Sequence, residues 1–299
     1  MIEMVDRDAE GATTFNRLLG EMRPKLHRYC ARMTGSAIDA EDVVQEALVK
    51  AIEAYPGSSG VSNPEGWLFR IAHNAALDFL RARARRQALR ADEEIETMPD
   101  PKIETEGRAI TSASLRTFMR LPVVQRSSVI LMDVLGYSIQ EITTIIDGTV
   151  PAVKAALHRG RARLHELAQE PDDKPVPKMA DSERARLAAY VERFNARDFD
   201  TLRDMLAEDV RLELVNHHRL NGRKEVGNYF GNYSKIHDWQ LVTGLVDGRP
   251  AILVYDPDDA LTRPRYFVIL EWANDRVVAV RDFRFARYAI ESADLVALP

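Results

Sequence analysis

From Thr13 to Arg90 apolar residues recur every three or four positions, the period of helices with one buried face. In the segment 39–52, Val44, Leu48 and Ala51, followed by Tyr55, make one apolar stripe, and Asp42, Gln45, Glu46 and Glu53 fall on other faces. Asn63-Pro-Glu-Gly-Trp67 predicts a helix start, with Asn63 as N-cap and Pro64 in the first helical position. The helix that follows buries Leu68, Ile71, Ala72, Ala75 and Phe79. Arg70, Asn74, Asp78, Arg81 and Arg85 recur on its other faces. Trp67 stands beside the apolar stripe, which favours a core role over a stacking platform.

The helical period returns from Ser112 to Gln169. The stretch from Leu121 to Gly136 predicts one helix closed by a glycine. Ser138-Ile-Gln-Glu141 predicts a capping box that opens a short helix with Ile142, Ile145 and Ile146 facing inward. Asp147-Gly148 turns the chain. Thr149 then caps a second helix with Val153, Leu157, Gly160 and Leu164 on its inner side. Two helices so joined make a helix-turn-helix, the second sized for a DNA major groove.

After Asp181 the period changes. Helices are predicted over Ser182 to Ala196, over Asp198 to Ala207, and from Asn221-Gly222 to about Lys235. Val210, Leu212 and Leu214 alternate as a strand. Further strands are predicted over Trp239 to Val246, Pro250 to Tyr255, Arg265 to Trp272 and Val277 to Phe285, with a hairpin at Asp275. Helices first and then a curved antiparallel sheet give an α+β cone.

Composition divides the 299 residues further. Seven carboxylates between Asp92 and Glu106, with Pro99 and Pro101, mark an acidic linker. Glu170-Pro-Asp-Asp-Lys-Pro-Val-Pro177 marks a second. The expected organisation is a helical domain at 12–90, a linker at 91–111, a helical domain at 112–169, a linker at 170–180 and the α+β domain at 181–299. A formal net charge of −5 argues against bulk electrostatic gripping of DNA, so any DNA binding is expected to be local, weak alone, or assisted by a partner. The run Arg81-Ala-Arg-Ala-Arg-Arg86 suits phosphates, and it also complements a helix C-terminus. The single cysteine, Cys30, reads as a core filler in a reducing compartment. The acidic, polar start is not read as a secretory signal, and no window is apolar enough for a membrane helix. The pair His217-His218 raises a metal reading, but adjacent strand residues point to opposite faces. Asp209, His217, His218, His237, Asp238 and Asp247 offer acid-base groups in the cone, and none sits in a motif that fixes geometry.

The D-x-E-D-x-x-Q-E pattern from Asp39 to Glu46, with W-L-x-x-I-A-x-N-x-x-x-D-x-x-R from Trp67 to Arg81, resembles region two of extracytoplasmic-function (ECF) RNA polymerase sigma factors. The V-K-x-x-L-x-R-x-R-x-x-L pattern from Val153 to Leu164 is similar to their region four, although Ala155-Ala156 stands where members often carry Ser-Arg. The element order after Asp181 and A-x-D-V-x-L-x-L from Ala207 to Leu214 resemble the SnoaL-like branch of the nuclear-transport-factor-2 superfamily. The D-G-G-G-R motif of some sigma relatives with this extension has no counterpart here.

The resemblance implies two all-α domains and a C-terminal α+β cone. It implies that Asp39, Asp42, Gln45 and Glu46 meet the polymerase β′ clamp and that region four meets the β flap. It assigns the minus-ten element to Asn63, Asn74, Asp78, Arg81, Arg83 and Arg85, with the loop from Gly57 to Asn63. The minus-thirty-five element falls to Thr149, Ala152, Lys154, His158, Arg159 and Arg161. Core polymerase, promoter DNA and a small ligand in the cone are the implied partners, in the cytoplasm and without a membrane. No cofactor, metal or catalytic residue is implied, and the cone is expected to modulate activity. Two other readings stay open on the residues alone. One is a free-standing helix-turn-helix regulator with a ligand-sensing cone, and the other is an enzyme whose chemistry lies in the cone.

Overall fold

Among the described residues, the apolar periods of the first half become seven helices. The protein is seen in a computed structural model describing residues 2–55, 61–90, 114–170, 179–233, 235–236, 239–258 and 262–298. The acidic linker 91–111, most of the linker 170–180, the loop residues 57–60 and the pair His237-Asp238 therefore lie outside the described residues. The chain divides into two compact units, Met1–Asp172 and Asp173–Pro299.

In the first unit, α1 (Ile2–Thr34) and α2 (Ala37–Ala54) are joined by Gly35 at φ +79°. Ser36 caps α2 by accepting from the Asp39 amide. Helix α3 (Pro64–Arg90) starts where the sequence places it, with the Asn63 side chain accepting from the Gly66 amide at 2.9 Å. Tyr29, Phe69, Leu26, Met33 and Ile38 are fully buried among these three helices, as is Cys30.

The second set of helices packs into the same core. It comprises α4 (Leu115–Met119), α5 (Val123–Val129), α6 (Ile139–Ile146) and α7 (Val150–Gln169). The single helix expected from Leu121 to Gly136 is corrected. After α5 the chain widens into a π turn at Ile130–Val134, where the Leu135 amide reaches the Ile130 carbonyl. That turn points Asp133 at Arg161 of α7. The Ser138–Glu141 capping box forms, and Asp147 turns the chain at φ +55°. A β-carbon at Gly160 would stand 2.8 Å from Val129 Cγ2, so glycine lets α7 approach α5.

Arg126 ties the two sets together. Only 4% exposed, its guanidinium donates to the carbonyls of Met33 (2.6 Å), Met119 (3.1 Å) and Leu121 (2.9 Å). Met33 lies in the last turn of α1, where helical carbonyls lack intrahelical donors. Around it, Phe69 meets Tyr137 edge-on at 5.0 Å and Arg32 lies over the Phe118 ring at 5.6 Å.

The second unit is α+β. Helices α8 (Asp181–Asn195), α9 (Phe199–Asp204) and α10 (Arg223–Tyr233) share an apolar core with one sheet face. The strands are β1 (Leu206–Leu214), β2 (Arg219–Asn221), β3 (Gln240–Val246), β4 (Arg249–Tyr255), β5 (Tyr266–Ala273), β6 (Arg276–Asp282) and β7 (Leu295–Ala297). Their order is β2-β1-β6-β5-β4-β3-β7. Two expectations are corrected. The sheet is mixed, because β1 pairs parallel with β6. Helix α9 ends at Asp204, since Leu206 already pairs with Val277 of β6.

Replacing Arg126 by alanine leaves three carbonyls without their donor. Urea unfolding is expected to show a loss of about 2–4 kcal/mol, with little rescue by Arg126→Lys, which cannot reach three acceptors from a planar fork.

Candidate nucleic-acid interface

Helix α3 presents Asn74, Asp78, Arg81 and Arg85 at i, i+4, i+7 and i+11, and all four are exposed. The stripe runs along one side because Leu68, Ala72, Ala75 and Ala76 anchor the other in the core. Arg81 reaches back to Asp78 at 3.0 Å on the helix surface. Such an exposed pair is readily broken by a phosphate competitor. Arg83 is off the stripe, half-buried, and donates to the Thr34 carbonyl at 3.3 Å. Asn63 is exposed, but its side-chain oxygen caps α3. Trp67 is half-buried, 6.3 Å from Phe15.

A second cationic surface lies on α7. Ala152, Lys154, His158 and Arg159 are exposed, while Val153, Leu157 and Leu164 are buried beneath. Thr149 caps the helix by accepting from the Ala152 amide. Arg161 differs from its neighbours. Asp133 holds it in a two-pronged pair, Nε at 2.9 Å and Nη2 at 2.5 Å, so it anchors the helix rather than projecting from it.

Helix α2 carries the acidic surface. Asp42 and Glu46 are exposed and Gln45 half-buried. Asp39 does not share that face. It is 7% exposed in the first turn of α2, 3.9 Å from Arg83. Sequence reasoning missed Val49 and Ile52, exposed by 49% and 52%, which give the acidic face an apolar centre. Both fall outside the Val44-Leu48-Ala51-Tyr55 stripe, which was the available signal.

His73 supports the α3 stripe from inside, with Nδ1 2.7 Å from the Tyr29 hydroxyl. Burial, and next the nearby Arg81 charge, push its pKa down to about 4. In the second unit, His217 and His218 lie in the turn after β1 with rings 4.4 Å apart, so the expectation of opposite faces is corrected. Among the described residues, no group of three or more His, Cys, Asp or Glu could hold a metal ion, and no helix is long and apolar enough to cross a membrane.

Comparison with known proteins gives these surfaces a context. The Sigma-70 region 2 family matches residues 18–86, and the Sigma-70, region 4 family matches residues 115–164. The chain is 27% identical over 290 residues to the ECF RNA polymerase sigma factor SigG of Mycobacterium tuberculosis, covering 87% of this chain and 78% of that one. It is 32% identical over 153 residues to SigM, an ECF sigma factor of the same species, covering 51% of this chain and 76% of that one. A Kribbella flavida structure assigned to the ketosteroid isomerases matches 33% of this chain and 74% of its own, at 28% identity and a TM-score of 0.27.

The two matched regions are those of a promoter-specificity subunit of bacterial RNA polymerase. The chain belongs to the ECF RNA polymerase sigma factors. It directs core RNA polymerase to promoter DNA and initiates transcription there.

The depressed His73 pKa sets a pH window. Its folded value lies below the unfolded 6.5, so its contribution is present above pH 6.5 and lost as pH falls toward 4. Chemical unfolding of the first unit is expected to lose up to about 3 kcal/mol across that window, and His73→Phe is expected to flatten the profile.

Proposed function

We propose that three surfaces of the first unit divide the work of a sigma factor. The acidic face of α2, built on Asp42, Gln45 and Glu46 with Val49 and Ile52 at its centre, docks on the polymerase β′ clamp. The Asn74-Asp78-Arg81-Arg85 stripe of α3 contacts the minus-ten element. The Lys154-His158-Arg159 face of α7 contacts the minus-thirty-five element, and this module meets the β flap. Thr149 and Ala152 stand at the DNA-facing end of α7. Asn63, Arg83, Asp39 and Arg161 serve by positioning the helices that carry the contacts.

The observation that carries this reading is the simultaneous exposure of the α3 and α7 cationic faces on an acidic chain. Isolated cationic patches hold DNA weakly. Fixed on polymerase, the second contact becomes intramolecular and few charges suffice. The first unit's role is binding, not catalysis, and it operates where core polymerase does, in the cytoplasm. The second unit, residues 173–299, modulates these steps.

Run-off transcription with core polymerase tests the assignment. Arg159→Ala or Lys154→Ala is expected to lower promoter affinity by about 1–3 kcal/mol for a base contact, or to reduce the salt slope by about 1 for a phosphate contact. Asp42→Lys with Glu46→Lys is expected to abolish co-elution with core enzyme while leaving the fold intact. Ending the chain at Glu170 is expected to change transcription and keep core binding. Unchanged core binding in the charge-reversed protein overturns the docking assignment.

A further inference from the structure

Lys154, His158 and Arg161 stand at i, i+4 and i+7 of α7, one stripe along the helix. Lys154 and His158 are exposed, and among the described residues neither Lys154 nor Arg159 forms an ion pair. Arg161 shares the stripe and the charge, yet Asp133 neutralises it. Three features hold that pair. The π turn at Ile130–Val134 buries Ile130 and Leu131 and leaves Asp133 half-buried against α7. Such turns recur at functional positions. Gly160, one residue before Arg161, lets α7 come close to α5, since a β-carbon there would stand 3.3 Å from the Gln125 carbonyl. The carboxylate takes both Nε and Nη2 of the guanidinium, a geometry that fixes direction as well as charge.

The contrast with Arg81 and Asp78 on α3 decides what each pair can do. There the two side chains are 65% and 57% exposed, and one nitrogen meets one oxygen. Water already solvates both groups, so a DNA phosphate takes that arginine at little cost. In the other pair Arg161 is 39% exposed and Asp133 only 14%. Drawing Arg161 to a phosphate leaves Asp133 part-buried and unpaired, with the cost of its desolvation and no partner to offset it. The arginine therefore stays with Asp133 when DNA approaches.

We propose that Asp133 sets the DNA affinity of the α7 face by withholding Arg161 from DNA. A cation that meets a phosphate steepens the salt dependence of binding by about 0.9 and tightens binding to every sequence alike. Such a contact carries no promoter information. With Arg161 withheld, α7 makes few sequence-blind contacts, and the free chain is not captured by DNA at large. On polymerase the same weak face suffices, because binding there is intramolecular. The inference rests on the reading of α7 as the minus-thirty-five face.

Fluorescence anisotropy with a non-promoter duplex tests it, using the full chain without core polymerase over a range of salt concentrations. Asp133→Asn is expected to bind about five- to tenfold tighter than the unaltered chain at about 0.1 M salt, with a salt slope steeper by about 0.9. Asp133→Asn combined with Arg161→Gln is expected to return to within about twofold of the unaltered chain. The double variant lacks the same pair, so a gain caused by loosened packing would persist in it. Glu166→Gln is the charge-matched control. It frees Arg163, which lies half a turn around α7 from Lys154, so binding is expected to stay within about twofold there too. No gain in Asp133→Asn, a gain that survives Arg161→Gln, or an equal gain in Glu166→Gln overturns the proposal. Lys154→Ala, run alongside, separates it from the reading on which it rests. A flatter slope in Lys154→Ala without a gain in Asp133→Asn removes the role of Asp133 and keeps α7 as the DNA face. A slope unmoved by either substitution removes that face as well.

Discussion

A buried guanidinium without a carboxylate partner organises the first unit. Both terminal nitrogens of Arg126 donate to backbone carbonyls, one at the end of α1 and two in its own module, and Nη1 also reaches Met119 Sδ at 3.1 Å. Charged donors and helix C-terminal oxygens attract each other strongly away from water. The geometry is also specific, because a planar fork meets three carbonyls only when α1, α4 and α5 hold one arrangement. Burial lowers the Arg126 pKa to about 10, with the group still charged at neutrality, so its hydrogen bonds are charge-assisted and form against a cost of desolvation. The cationic faces of α3 and α7 acquire a fixed relation through this contact and the Phe69–Tyr137 pair, with the linker between them lying outside the described residues.

Much of the fold was legible because local chemistry and packing agree. Ser138 with Glu141, Asn63 before Pro64, and Thr149 before Pro151 marked helix starts that form as read. The exposed stripe from Asn74 to Arg85 followed from the apolar period on the other side of α3. What stayed illegible depends on partners distant in the chain. Arg126 in the sequence looks like a surface cation on a short amphipathic helix; only the arrival of Met33 makes it a buried one. Asp39 and Arg161 looked like contact residues by motif position, and their fold partners, Arg83 and Asp133, lie 44 and 28 residues away. The parallel pairing of β1 with β6 is likewise a long-range choice that strand periodicity does not encode.

Asp282, a buried carboxylate at the end of β6, was missed for a different reason. The acid-base candidates were sought among histidines and among aspartates in loops, whereas Asp282 continues a strand. Its signal was present in the alternation, since it stands in phase with Val280, and Val280 faces the helix-covered side of the sheet. A carboxylate here stands in phase with Val280 at a buried position, where an apolar residue is the ordinary choice. Such local violations mark places where something other than packing chose the residue.

The two units differ in how they hold their buried titratable groups, and the difference has a direction. His73 lies in the first unit with its pKa depressed, so acid works against that unit's fold as the ring is forced to charge. Asp282 lies in the second with its pKa raised above the unfolded value. Its contribution is therefore full below about pH 3.8 and lost as pH rises through 6. Near neutrality the first unit sits on the favourable side of its titration and the second on the costly side. Acidification therefore pulls the two folds in opposite directions, weakening the unit that charges His73 and relieving the one that buries the Asp282 carboxylate.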